Sequence, residues 1–136
     1  MKKIYSKKNP EILLHIINKM EDIVGQRHNI IPDNEYLQLS TMKLPEGKTF
    51  IPHKHIKLDR NTDITQESWV VIKGKIKAIL YDLDDTIIHE EILNPGDCSV
   101  TLRGGHNYLC MEEGSVVYEY KTGPYFGQEK DKVFLK

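Results

Sequence analysis

Apolar residues recur at intervals of three and four near the start of the chain: Ile12, Leu13, Ile16, Ile17, Met20, Ile23 and Val24. That spacing lines one face of an α-helix. Pro10 suits a first turn and Gly25 a C-terminal stop, so the pattern predicts one helix over residues 6–24. His15 falls one position inside it and is expected as an exposed or half-buried helix histidine. From Glu35 onward the period changes to two, and Pro-Glu-Gly, Lys-Gly-Lys, Asp-Leu-Asp-Asp, Asn-Pro-Gly-Asp, Gly-Gly and Thr-Gly-Pro punctuate it. Predicted strands cover 36–44, 49–55, 67–73, 75–82, 87–93, 98–102, 106–111 and 115–120. Ile76, Ala78 and Leu80 alternate with Lys75 and Lys77, the mark of a strand with one face buried. Short strands in such number predict an all-β sandwich or barrel rather than a parallel α/β sheet. The tail after Gly123 is expected to lie on the surface and fold back through Val133, Phe134 and Leu135.

The length of 136 residues fits a single folded unit, with residues 1–34 as a helical extension and 35–136 as the β domain and tail. The composition, 39% hydrophobic and 29% charged, excludes collagen-like and disordered classes. A formal net charge of -1 gives no electrostatic ground for a nucleic-acid or membrane partner. Cys98 and Cys110 are too sparse for a disulfide framework, and no apolar leader or membrane-length stretch occurs, so the expected location is the cytoplasm.

The chemistry gathers around Pro52-His53-Lys54-His55. Two histidines at i and i+2 of a strand point to one face and can share a metal. Glu67 opens a later strand after a polar stretch, and His106 follows Gly104-Gly105 at the start of another. Three imidazoles and a carboxylate suit one divalent transition metal, Fe, Mn, Ni, Co or Zn, with positions left open for substrate.

Gly47, followed by five residues and His53-x-His55, with Glu67 followed by six residues and Gly74, resembles the first motif of the cupin superfamily. Eleven residues separate His55 from Glu67 where the family pattern has three or four, an excess that a longer loop absorbs. Asn94-Pro95-Gly96-Asp97 and Gly104-Gly105-His106 resemble the ends of the second motif. There Leu102 replaces a proline, His106 arrives one residue early, and Cys110 lies where an asparagine is expected. The resemblance covers residues 36–120. Val117 to Tyr125 is similar to small single-domain cupins associated with bacterial surface-polysaccharide genes. It implies a jelly-roll β-barrel, commonly a homodimer, with His53, His55, Glu67 and His106 converging on the metal. The amphipathic helix is expected to cap the barrel or join two copies.

Alternation places Trp69 and Val71 on the face of Glu67, so Trp69 is a candidate wall for a sugar ring. Gln66 falls on the opposite face. Tyr118 and Tyr120 alternate with Glu119; an inward tyrosine would serve as a general acid. Arg103 and Lys121 are candidates to meet an anionic substrate group, against a bland role in surface solvation. Asp82, Asp84 and Asp85 match a short phosphatase-like acidic motif, but the chain lacks the α/β sheet that motif needs, so they are read as a hairpin turn. The expected function is a metal-dependent enzyme acting on a small polar metabolite, a carbohydrate or nucleotide-sugar derivative, by isomerase, epimerase or Fe(II) dioxygenase chemistry. The alternatives are a non-catalytic metal- or sugar-binding module and a metal-free epimerase using a histidine base and a tyrosine acid.

Overall fold

The computed structural model describes residues 1–135. Ten strands are present: β1 (Lys2–Tyr5), β2 (Leu13–Asn18), β3 (His28–Asn29), β4 (Ser40–Thr41), β5 (Glu67–Lys73), β6 (Ile76–Tyr81), β7 (Ile87–Leu93), β8 (Cys98–Thr101), β9 (His106–Cys110) and β10 (Val116–Lys121). A 3-10 turn at Met20–Asp22 and one helical turn, α1 (Gln128–Asp131), complete the regular structure. The fold is mostly β. A five-stranded sheet in the order β1-β2-β8-β5-β10 faces a three-stranded sheet β7-β6-β9, and β3 pairs with β4 apart from both. All the pairings are antiparallel.

The predicted helix over 6–24 is replaced by the β1–β2 connection, strand β2 and the 3-10 turn at Met20–Asp22. Pro10 lies in the β1–β2 connection, and Leu13-Leu14-His15-Ile16-Ile17 runs through β2. The physical reason is burial on both faces. Ile17 joins Ile4, Val71, Ile76, Ala78, Leu80 and Leu93 in the core between the two sheets. Ile16, one residue earlier, packs on the other side with Ile30, Ile31, Val100 and Leu102. A strand covered on both sides loses its polar alternation, and a continuous apolar run then also satisfies helical spacing. The N-terminal residues are part of the main sheet, with β2 paired to both β1 and β8. The ground for a dimerising or capping helix is thereby removed.

Among the later strands, β6 follows the alternation closely. In β6 the buried positions Ile76, Ala78 and Leu80 alternate with partly exposed Lys77, Ile79 and Tyr81. Burying Ile76 and Leu80 contributes about 1.5–3 kcal/mol each. The β6–β7 hairpin turns at Asp82 to Thr86, where the buried Asp82 carboxylate accepts from Ser6 Oγ and from the backbone N–H groups of Lys7 and Leu83. The acidic run is therefore a turn that ties β6 to the start of the chain.

Two predicted strands, 36–44 and 49–55, are largely missing. Only Ser40–Thr41 is strand in the first, and residues 42–66 contain no helix or strand. Pro45 and Pro52 lack the N–H that a sheet ladder needs, and no strand pairs with this segment. No helix among the described residues is long and apolar enough to cross a membrane.

Candidate functional site

Glu67 begins β5 and is paired with Thr101 at the end of β8 and Lys121 at the end of β10. His106 begins β9 on the opposite sheet, across from Leu80 at the end of β6. The two side chains meet where the sheets close on each other. His106 Nε2 lies 3.1 Å from Glu67 Oε1, with the Glu67 side chain 7% exposed. Trp69 Nε1–H donates to the same oxygen at 2.8 Å. The Trp69 ring stacks on Tyr108 with centroids 4.0 Å apart, and the Tyr108 hydroxyl is 2.6 Å from Ser99 Oγ.

Strand alternation explains this set. Glu67, Trp69 and Val71 share one face of β5, and His106 and Tyr108 share one face of β9. Gln66 points the other way, as expected: its amide donates to Glu35 Oε2 at 2.6 Å and accepts from Leu37 N–H at 2.8 Å. Tyr108 is the residue the sequence reading passed over. The signal was available, since it stands two residues after His106 on the same strand.

Burial works against charge on Glu67, but the hydrogen bond and charge of His106 and the Trp69 indole N–H outweigh it and hold the carboxyl below its usual range. An ionised carboxylate accepts, so His106 Nε2 carries a proton in this pair. That leaves two open atoms. His106 Nδ1 is buried without a hydrogen-bond partner. Both donors fall on Glu67 Oε1, and among the described residues none reaches Oε2. Desolvation drives the Tyr108 hydroxyl far above its usual pKa, so it stays protonated at neutral pH.

A fully buried histidine lies close by. His15, expected on an exposed or half-buried helix face, is 0% exposed in β2. Its Nε2 donates to the Tyr81 carbonyl at 2.9 Å, which leaves Nδ1 to accept from Thr101 Oγ1 at 3.1 Å. Burial pushes its pKa down to about 4. The approach requires glycine at 104: φ is +79°, and a Cβ there would lie 2.5 Å from the Tyr81 oxygen and 3.3 Å from His15 Nε2.

His53 and His55 are not brought to this pair. Both are exposed on the irregular 42–66 segment, with ring centroids 5.6 Å apart and His53 Nδ1 2.9 Å from the Ile51 carbonyl oxygen. Among the described residues no group of three or more His, Cys, Asp or Glu side chains converges as a metal cage. Tyr118 and Tyr120 stand opposite Val70 and Ser68, on the sheet face away from Glu67, and are 58% and 54% exposed. They are not positioned as acids toward His106. Arg103 is held by Glu35 at 2.8 Å, and Lys121 lies 3.5 Å from Glu119 and 3.8 Å from Asp131. Cys98 is buried, its thiol pushed up to about 11 by desolvation, and Cys110 is exposed.

The donor chemistry at Glu67 and His106, one imidazole nitrogen and one carboxylate oxygen without a hydrogen-bond partner among the described residues, is of the kind a divalent transition metal takes, but two side chains are fewer than a closed site needs. Comparison with protein-family models, curated proteins and solved structures finds no significant match for this chain.

Proposed function

We propose that this chain is a cupin-type, metal-dependent enzyme acting on a small polar metabolite, a carbohydrate or nucleotide-sugar derivative, by isomerase, epimerase or Fe(II) dioxygenase chemistry. The observation that carries the reading is the buried Glu67–His106 contact with His106 Nδ1 left unpartnered. Buried polar atoms are normally satisfied, and an exception inside a cluster of titratable groups points to a ligand. Glu67 and His106 would hold the metal, with His53 and His55 supplied by the segment that runs directly into β5. The 12 residue steps from His55 to Glu67 span up to about 40 Å of extended chain, so connectivity permits it. A divalent transition metal bound there supplies Lewis-acid polarisation of a substrate carbonyl or hydroxyl pair.

The protein's own residues have separate tasks in this reading. Trp69 fixes the Glu67 carboxylate through its indole N–H and presents an aromatic surface. Tyr108, backed by Ser99, keeps its proton and excludes water from behind the pair. The jelly-roll topology, a homodimer and a cytoplasmic location belong to the same proposal, the last supported by two unpaired cysteines.

A second reading is favoured by the 3.1 Å contact itself. A carboxylate that orients an imidazole through Nε2–H leaves Nδ1 as a general base without a metal, as a metal-free epimerase needs. Its acid would be Tyr108 rather than Tyr118 or Tyr120.

The test is elemental analysis of protein purified without chelators, for wild type, His53→Ala, His55→Ala and His106→Ala. About one equivalent of transition metal, lost in the variants, is the expected result. Folded wild type that neither contains nor takes up Fe(II), Mn(II), Ni(II), Co(II) or Zn(II) overturns the metal reading. Turnover unaffected by chelation but lost in His106→Ala would then select the second.

A further inference from the structure

We propose that the C-terminal segment, residues 128–135, is a hinged cover over Glu67 and His106 whose release admits the ligand. The proposal rests on the reading of that pair as the reacting site and concerns how access to it is controlled.

The segment starts beside Glu67 and ends beside His106. Asp131 Oδ1 accepts from Thr65 Oγ1 at 2.6 Å, two residues before Glu67, and Asp131 Oδ2 is 3.8 Å from Nζ of Lys121, the cross-strand partner of Glu67. Four residues later the Leu135 side chain lies against Gly105, immediately before His106. A Cβ at Gly105 would come within 2.5 Å of Leu135 Cδ1, so Leu135 occupies the room that the missing side chain leaves. The chain therefore passes across the end of the sandwich at which the pair opens.

The attachment is light. Val133 and Phe134 are 86% and 77% exposed, and α1 buries no residue. Few buried apolar contacts and a handful of peripheral polar ones are the condition for local opening at small cost without unfolding the rest. Gly127 supplies the hinge: its φ of +100° is open to glycine and strained for other residues. Release of Asp131 from Thr65 and of Leu135 from Gly105 would uncover His106, whose side chain is 25% exposed with the segment in place.

The experiment compares carbethoxylation rates of His106 and of exposed His28 by peptide mass spectrometry, with His28 as the internal reference. The unaltered chain is compared with the Thr65→Val/Leu135→Ser double variant and with a chain ending at Gly127. The expected result is a His106-to-His28 rate ratio raised about threefold or more in both, with little change in thermal midpoint. An unchanged ratio in the folded double variant overturns the cover, and that variant carries the test if the shortened chain does not fold. Metal content, measured separately, distinguishes the two ideas: a raised ratio in a protein that takes up no metal keeps the cover and removes the metal.

Discussion

Glu67 with His106, and His53 with His55, are two clusters of the same side-chain chemistry in very different frames. The first is spread over β5 and β9, on different sheets, yet its atoms meet at 3.1 Å and are braced by Trp69, Tyr108 and Ser99. The second is compact in sequence and lies on a segment with no regular structure, solvent around it and Ile51 and Ile56 exposed beside it at 86% and 83%. Nearness along the chain did not organise the pair of histidines; strand pairing across two packed sheets organised the distant pair. An unsatisfied polar atom arises only where packing removes the water that would otherwise satisfy it, and packing is also what fixes the geometry of its neighbours.

The sharpest contrast should appear in stability. Leu80→Ala, in the core under His106, is expected to cost about 3 kcal/mol by leaving a cavity between the sheets, whereas Ile51→Ala should change stability by less than about 0.5 kcal/mol. Urea unfolding of both variants checks this, and comparable losses would show that the 42–66 segment is packed after all.

A pH effect of similar or smaller size belongs to the braced end. His15 is neutral when folded, with its pKa lowered from 6.5 to about 4, so the unfolded chain binds the proton first. Stability is then full above pH 6.5 and falls by up to roughly 3 kcal/mol as the pH drops toward 4. Substituting His15→Gln should flatten that slope. Glu67 adds a loss in the same direction, because its folded pKa is depressed and its stabilising contribution disappears as the pH falls through that lower value. Denaturation followed from pH 7 to pH 4 measures the His15 loss, and its continuation below pH 4.5 measures the Glu67 loss.

Trp69→Phe keeps the stack on Tyr108 and removes the indole N–H. The expected cost is about 1 kcal/mol, together with an upward shift of the Glu67 titration in carbon-detected NMR. A Glu67 titration that does not move would mean that Trp69 is only packing. The smallest effects are expected at the loosely framed positions. Metal-free His55→Ala and Tyr118→Phe should each match wild type within about 0.5 kcal/mol, and Tyr118→Phe should leave any turnover intact.

Strand existence was legible from Glu67 to Lys121, where turn residues bound each run, and not at β1, which is four residues long with one buried side chain. The sequence pattern placed β5 and β7 at their observed limits and β6, β8, β9 and β10 within a residue or two. It placed Trp69 and Gln66 on their correct faces by alternation. It failed at β2, where burial on both sides imitates a helix, and at 49–55, where alternation was present but no partner strand was. Half of the candidate site was legible in consequence. Glu67 and His106 stood out as a carboxylate and an imidazole at the starts of predicted strands, Tyr108 was reachable by alternation and passed over, and His15 was lost with the misread element.

Local sequence thus determined which residues alternate, where glycine and aspartate turn the chain, and that the result is mostly β, because those features depend on near neighbours and backbone conformation. The tertiary structure alone decided which strands became neighbours, which face of β2 met which core, and that Glu67 found His106 rather than the histidine pair. Those outcomes depend on burying apolar surface over long sequence separations, and the period of a single segment carries no record of what will cover its second face.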